Sequence, residues 1–235
     1  MSDLLSRAKR PGAWRWAVAI AGSFIIAIGA AVYWFPSQEA SPAPRVAKTG
    51  DVPVELLMKP GELPDLSLGL PDAKITVVEY ASMTCGHCAN FAKNVWPEFK
   101  KKYVDSGKVH FVFREFPLDH LAAAASMLAR CADGEKSFPL IEVLFEKQDN
   151  WALSEGNPVP RLFEIAKQAG FTQDSFDKCL TDPKLLDKIT AGRSRASDVF
   201  GVSSTPTFFI NGKRLDGAPT MANFDKIIEP LLAKS

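Results

Sequence analysis

The chain of 235 residues has little of several features that would define a function class at once. It has only four cysteines, too few for a disulfide-dense scaffold, so their spacing must indicate their role. Its 28 basic and 27 acidic residues leave a formal net charge of +1, which argues against binding to nucleic acid or another polyanion. Internal repeats are absent, and a content of 46% hydrophobic and 23% charged residues excludes a disordered or low-complexity chain.

The charge that is present is unevenly distributed. Residues 1–15 carry four basic side chains against the single acid Asp3, and they precede 20 uncharged, mostly apolar residues at 16–35. A helix of that length spans roughly 30 Å, the thickness of a hydrocarbon core, and a cationic flank stays in the cytoplasm. We therefore expect a cytoplasmic segment at 1–15, a transmembrane signal anchor at 16–35 and export of the rest. A cleaved signal peptide is the alternative, and it also predicts export.

The exported part divides into a linker and one domain. Residues 36–63 are rich in proline and lack a sustained apolar period, which is typical of an extended tether. Residues 64–235 have the length of a single domain. Within them, β-branched runs at 75–81 and 109–113 enclose a helical pattern at 90–103, which predicts a βαβ unit with parallel strands.

The second half of the domain is predicted to be mainly helical. Apolar periods predict helices at residues 121–132, 139–148 and 160–169, and a short helix is expected at 174–180. Asp182 as N-cap followed by Pro183 predicts a further helix that ends at about residue 200. Asn211-Gly212 is a hairpin signal between short strands at 207–210 and 213–215, and a last helix is expected at 223–232. The order of elements predicts an α/β fold.

The motif Cys85-Gly86-His87-Cys88 carries the clearest chemistry. It follows a predicted buried strand and opens a helix, where backbone amides and the helix dipole stabilise an anion. That position, together with a His87 that can carry a proton, lowers a thiol pKa below its usual value of about 8.5. The pattern predicts Cys85 as the attacking thiolate and Cys88 as the resolving thiol. Structural zinc would need a second ligand pair that the sequence lacks, and an inert disulfide has little reason to lie there.

Two further features lie apart from this motif. Glu79 interrupts an apolar strand six residues before Cys85, where burial would raise its pKa and make it a proton relay for Cys88. A glutamate facing solvent on an edge strand is the alternative. Thr205-Pro206 directly precedes an apolar strand, where a cis peptide bond would turn the chain tightly, although local sequence does not decide between cis and trans.

Together, EYASMTCGHC at 79–88 and GVSSTPTFFINGKRLDG at 201–217 resemble the DsbA-like thiol:disulfide oxidoreductases, exported bacterial members of the thioredoxin superfamily. The resemblance implies a thioredoxin fold with an inserted helical subdomain at about 118–183. The family's redox motif maps onto Cys85, Gly86, His87 and Cys88, its buried acid onto Glu79, and its substrate-binding X–cis-Pro loop onto Thr205 and Pro206.

The same resemblance implies a dithiol oxidase that acts in the periplasm, and the apolar segment at 16–35 would anchor it in the inner membrane, unlike the freely soluble type members of the family. Its substrates would be exported proteins with reduced cysteines, its re-oxidase a DsbB-like membrane protein, and it would need no metal or prosthetic group. Cys131 and Cys179 resemble a second pair found in some relatives. We expect them to form a structural disulfide in an oxidising compartment, with two buried free thiols as the alternative.

Other functions stay open at this point. Gly86-His87 differs from the Pro-His of the best-known DsbA and occurs in eukaryotic disulfide isomerases, so a reductase or isomerase is the nearest alternative. From different classes, the chain could be a Cu(I)-binding module that uses Cys85 and Cys88, or a peptide-binding chaperone without catalysis.

Overall fold

The protein is described here by a computed structural model that covers residues 50–132 and 134–233. The predicted cytoplasmic segment, the predicted anchor and the first part of the predicted tether lie outside the described residues. Within the ranges covered, no helix has the length and apolar character needed to cross a membrane.

A five-stranded mixed sheet forms the centre of the domain. Its strands are β1 (Leu66–Leu68), β2 (Ile75–Ala81), β3 (Val109–Glu115), β4 (Thr207–Ile210) and β5 (Lys213–Arg214). They lie in the order β1-β3-β2-β4-β5, with β2 and β3 parallel and the other neighbours antiparallel. The predicted βαβ unit is confirmed, and so is the hairpin, whose turn residues Asn211 and Gly212 both have positive φ.

Helices cover both faces of the sheet and fill the interval between β3 and β4. They are α1 (Val54–Leu57), α2 (Gly86–Asn94), α3 (Trp96–Phe99), α4 (His120–Cys131), α5 (Ser137–Glu146), α6 (Gln148–Trp151), α7 (Val159–Gln168), α8 (Gln173–Leu180), α9 (Pro183–Phe200) and α10 (Met221–Ala233). A π-helix at Lys100–Val104 follows α3, and a 3₁₀ turn at Gly134–Lys136 precedes α5. The helices predicted after β3 are all present, and α4 to α8 form the helical insertion.

The helix predicted at 90–103 is interrupted. It begins at Gly86, ends at Asn94 and resumes at Trp96. Pro97 has no backbone N–H to donate to the preceding turn, and its ring crowds that turn, which disfavours one continuous helix at this point.

Side chains of the central strand β2 alternate between two buried layers. Val77 and Ala81 belong to the first core, which also contains Cys85 and Cys88. Val78 and Tyr80 belong to the second core on the opposite face, beneath α1 and the end of α9. This alternation follows from the two-residue period of a strand, and it puts the CxxC pair and the helical insertion on one side of the sheet.

The folded domain extends further towards the amino terminus than residue 64. Val52 and Leu57 fall inside the predicted tether, yet they are 3% and 0% exposed in the second core. The backbone N–H of Val52 also donates to the Gly212 carbonyl at 2.8 Å. The apolar run at residues 52–58 is too short to show a sustained period, which is why the sequence pattern placed the boundary too late.

Candidate active site

The CxxC motif lies where the carboxyl end of β2 leads into α2. Cys85 is the N-cap residue of α2, with extended backbone angles, and Gly86 and His87 form the exposed start of the helix. Cys85 is 9% exposed and Cys88 is fully buried, and both are free thiols. One sulfur is therefore at the surface of the site and the other lies beneath it.

The surroundings of Cys85 favour its thiolate. Its pKa is lowered from 9.0 to about 5. The largest cause is a hydrogen bond from the Cys88 thiol, and the backbone amides of His87 and Cys88 add to it against the opposing effect of burial. The exposed His87 side chain is not among these causes, so His87 acts here through its backbone N–H at the start of the helix.

The pKa values of Cys88 and Glu79 are raised, so that both groups favour their protonated forms. Burial is the largest cause of a raised Cys88 pKa, and the negative charge of Glu79 adds to it. Glu79 is 4% exposed, and burial, followed by the charge of Cys85, raises its pKa to about 8. It lies on the central strand, opposite Phe113 on one side and Phe208 on the other. The alternative of a solvent-facing glutamate on an edge strand is thus wrong.

The loop before β4 faces Cys85 across the site. The Thr205-Pro206 peptide bond is cis, and the Thr205 carbonyl oxygen lies 3.3 Å from the Cys85 sulfur as its hydrogen-bond acceptor. The Thr205 hydroxyl is buried beside this sulfur and also favours the Cys85 thiolate, which helps to lower the Cys85 pKa. The two sequence motifs, which are 117 residues apart from Cys88 to Thr205, are therefore in contact.

Two residues of the site were not predicted from the sequence. Gln148, at the start of α6 and 1% exposed, donates through Nε2 to the carbonyls of Met83 at 2.8 Å and Cys85 at 3.1 Å. Asp119 caps α4 and accepts a 2.6 Å hydrogen bond from the Thr84 hydroxyl. Both tie the loop around Cys85 to the helical insertion. A glutamine or aspartate at a helix end is ordinary in sequence, so only the fold identifies these contacts.

The other two cysteines lie within the insertion. Cys131 at the end of α4 and Cys179 in α8 form a disulfide, with Cα atoms 6.2 Å apart. No cluster of three or more His, Cys, Asp or Glu side chains suited to a metal occurs among the residues that the structure covers. A soft metal ion would therefore have only the Cys85 and Cys88 sulfurs as thiolate donors.

Comparison with known proteins gives consistent results. The protein-family model described as thioredoxin matches residues 62–230. The crystal structure of Wolbachia pipientis alpha-DsbA1 is 36% identical with a TM-score of 0.69, covering 78% of this chain and 97% of that one. A protein-disulfide isomerase from Novosphingobium aromaticivorans is 26% identical with a TM-score of 0.60, covering 72% and 96%.

A curated relative from Rickettsia bellii, whose name describes a protein-disulfide oxidoreductase, is 36% identical over 170 residues. The match covers 70% of this chain and 65% of the relative. A relative of similar name from Rickettsia prowazekii is 32% identical, with 72% and 61% covered. The chain thus spans slightly less than two thirds of the length of these curated relatives.

Proposed function

Because this chain belongs to the DsbA-like group of the thioredoxin superfamily, we propose that it is a thiol:disulfide oxidoreductase that introduces disulfides into exported proteins. The observation that carries the proposal is the contrast between its two free thiols. Cys85 has a pKa of about 5 at the start of α2, whereas Cys88 is buried and its pKa is raised. A stabilised Cys85 thiolate stabilises the reduced protein, and a stable reduced form makes a strong oxidant.

The reaction begins with the Cys85–Cys88 disulfide. A substrate thiolate attacks the Cys85 sulfur, forms a mixed disulfide with it and releases Cys88, which takes up a proton. A second substrate thiolate then attacks the substrate sulfur of the mixed disulfide and expels Cys85 as a thiolate. Two electrons pass from the substrate to the protein, and the substrate leaves with a new disulfide.

Glu79 has the properties required to serve Cys88. At neutral pH a carboxyl group whose pKa is about 8 is mostly protonated, so it can supply the proton that the departing Cys88 sulfur needs. In the opposite direction it accepts the proton of Cys88. General acid–base assistance of this kind contributes typically about 10²–10⁴-fold to a rate.

The cis-proline loop would bind the substrate. Thr205 and Pro206 lie beside Cys85, and a substrate in extended conformation would align with this loop through backbone hydrogen bonds. We further propose that the protein acts in the periplasm, held in the inner membrane by residues 16–35. A DsbB-like membrane protein would restore its disulfide.

Two variants of the full-length chain test the proposal. Cys85→Ser should abolish oxidation of a reduced, unfolded substrate protein, because the Cys85–Cys88 disulfide can no longer form. The control is the double variant Cys131→Ala/Cys179→Ala, which lacks only the disulfide of the insertion and should retain exchange. Full oxidation by Cys85→Ser would disprove the function. Stoichiometric Cu(I) binding without exchange by the wild-type protein would select the copper-binding alternative.

The direction of the reaction is tested by the redox equilibrium of Cys85 and Cys88 with glutathione. We expect a reduction potential well above the roughly −270 mV of thioredoxin. A value close to that of thioredoxin would favour the reductase or isomerase, an alternative supported by the Gly86-His87 dipeptide and by the similarity to the Novosphingobium isomerase.

A further inference from the structure

The loop that carries the cis-proline is held at both of its ends by one side chain. This loop runs from Gly201, where α9 ends, to Thr207, the first residue of β4. Arg214 on β5 donates from Nη1 to the Gly201 carbonyl at 3.0 Å. It also donates from Nη2 to the Thr207 hydroxyl at 3.3 Å. A single guanidinium group therefore bridges the two ends of the loop.

The Thr207 hydroxyl extends this contact into the loop. It accepts from Arg214 and donates in turn to the Ser204 carbonyl at 2.8 Å. Thr207 is 4% exposed, so water is largely excluded and cannot readily replace these bonds. Because Ser204 and Thr207 directly flank Thr205 and Pro206, the contacts of Arg214 fix the backbone on both sides of the cis peptide bond.

The Arg214 side chain is itself fixed by its surroundings. Its guanidinium carbon lies 5.9 Å from the centroid of the ring of Phe209, the residue opposite it in the β4–β5 pair. Its backbone N–H donates to Oδ1 of Asp51 at 2.9 Å, which ties β5 to the start of the folded domain. A long side chain that is already ordered loses little further freedom when it supports the loop.

We propose that Arg214 is a positioning residue for substrate binding, because it holds the cis-proline loop in the conformation with which an extended substrate aligns. The inference rests on the proposed function, which assigns substrate binding to Thr205 and Pro206. The loop also places the Thr205 carbonyl 3.3 Å from the Cys85 sulfur, so its backbone must keep its position while a substrate pairs with it. A loop that is ordered in advance does not have to be ordered at a cost in free energy when the substrate binds.

The geometry requires an arginine and not only a positive charge. The two acceptors are bound by two different nitrogens of one planar group, and arginine presents its donors in such a rigid fork. Lysine has a single ammonium nitrogen at the end of a flexible chain, and this nitrogen cannot occupy both donor positions. Arg214→Lys therefore keeps the charge and removes the bridge.

The test compares two reductants of the oxidised full-length protein. One is a peptide with two cysteines, which can align its backbone with the loop, and the other is dithiothreitol, which has no peptide backbone. Acid quenching followed by alkylation of free thiols gives the second-order rate constant for reduction of the Cys85–Cys88 disulfide. The rate constant for dithiothreitol measures the reactivity of the disulfide itself, and the ratio of the two rate constants measures the contribution of the loop.

We expect Arg214→Met and Arg214→Lys to lower the rate constant for the peptide by about fivefold or more, while the rate constant for dithiothreitol stays unchanged. Thr207→Val removes the hydroxyl and should reproduce this effect, whereas Thr207→Ser keeps a hydroxyl and should restore most of the rate. Lys213→Met is the matched control, because Lys213 is the neighbouring cation on β5 and its side chain is exposed. It should match the wild-type protein with both reductants.

Two results would overturn the inference while leaving the proposed function intact. One is a wild-type rate constant for the peptide in either Arg214 variant. The other is an equal loss with the peptide and with dithiothreitol, which would mean that Arg214 supports the site as a whole and not substrate alignment. If the peptide does not reduce the Cys85–Cys88 disulfide of the wild-type protein, the proposed function fails instead. The two failures are thus distinguishable.

Discussion

Replacement of the buried Glu79 by glutamine should stabilise the protein, by an amount that depends on pH. The pKa of this carboxyl rises from its ordinary value of 4.5, which applies to the unfolded chain, to about 8 in the fold. Between these values the folded protein holds a proton that the unfolded chain releases, so the free energy of unfolding falls as pH rises. The slope is about 1.4 kcal/mol per pH unit, and at about pH 7 the loss amounts to about 3 kcal/mol.

The measurement is denaturant unfolding of the wild-type protein and of Glu79→Gln over this pH range, with both in the oxidised form. Oxidation removes the Cys85 thiolate, which would otherwise titrate and add a contribution of opposite sign. Burial is the larger cause of the Glu79 shift, so most of the shift persists in the oxidised protein. The difference between the two proteins isolates Glu79, since every other titrating group is common to both.

We expect the two proteins to differ by less than about 1 kcal/mol near pH 4.5, because both side chains are then neutral and alike in shape. The difference should grow in favour of Glu79→Gln towards pH 8 and level off above it. A difference that does not change with pH would refute the reasoning, since it would mean that Glu79 titrates normally in the fold.

A second buried glutamate provides a control, because its replacement by glutamine should destabilise the protein rather than stabilise it. Glu115 is 7% exposed and forms a two-point ion pair with Arg130. Glu115→Gln leaves the buried Arg130 charge without its partner and should destabilise the protein by about 3 kcal/mol. Comparison of the two unfolding free energies therefore distinguishes a buried glutamate without an ion-pair partner, Glu79, from one that has such a partner, Glu115.

Two further predictions concern the cysteines. Cys88→Ala should raise the pKa of Cys85 by about 1–2 pH units, because it removes the hydrogen bond that contributes most to the lowered value. Cys88→Ser keeps a donor and should raise the Cys85 pKa less. Ultraviolet absorbance of the thiolate against pH gives both pKa values, and equal values in the two variants would contradict the assignment. Cys131→Ala/Cys179→Ala should lower the free energy of unfolding by about 2–4 kcal/mol, since the disulfide closes a loop with a sequence separation of 48. An unchanged denaturation midpoint would show that this disulfide adds no stability.

Much of the fold could be predicted because the information was local. The apolar run at β2, the proline after the N-cap Asp182 and the Asn211-Gly212 turn each carry their signal within a few residues, and each is found in the structure. The three-residue strand β1 was missed. It is defined by antiparallel pairing with residues of β3 more than forty positions away, and three residues are too few for a period to be visible.

In the candidate site, too, residues with a local sequence signal could be predicted, and residues that matter through distant contacts could not. Cys85, Cys88 and Glu79 could be selected from the sequence because a CxxC after a strand and an acid inside that strand are unusual locally. Gln148 could not, because its importance comes from reaching the Met83 and Cys85 carbonyls across the fold.

The contrast between the two thiols also bears on the direction of the proposed reaction. In a mixed disulfide at Cys85, the substrate can depart oxidised, by attack of its own second thiolate, or reduced, by attack of Cys88. The first route expels Cys85, and a thiolate with a pKa of about 5 leaves readily. The second requires Cys88 to lose its proton in a buried site beside a Glu79 that is still mostly protonated at neutral pH. We therefore expect oxidised product to be favoured below about pH 8, and the preference to weaken above it as Glu79 becomes able to accept the proton of Cys88.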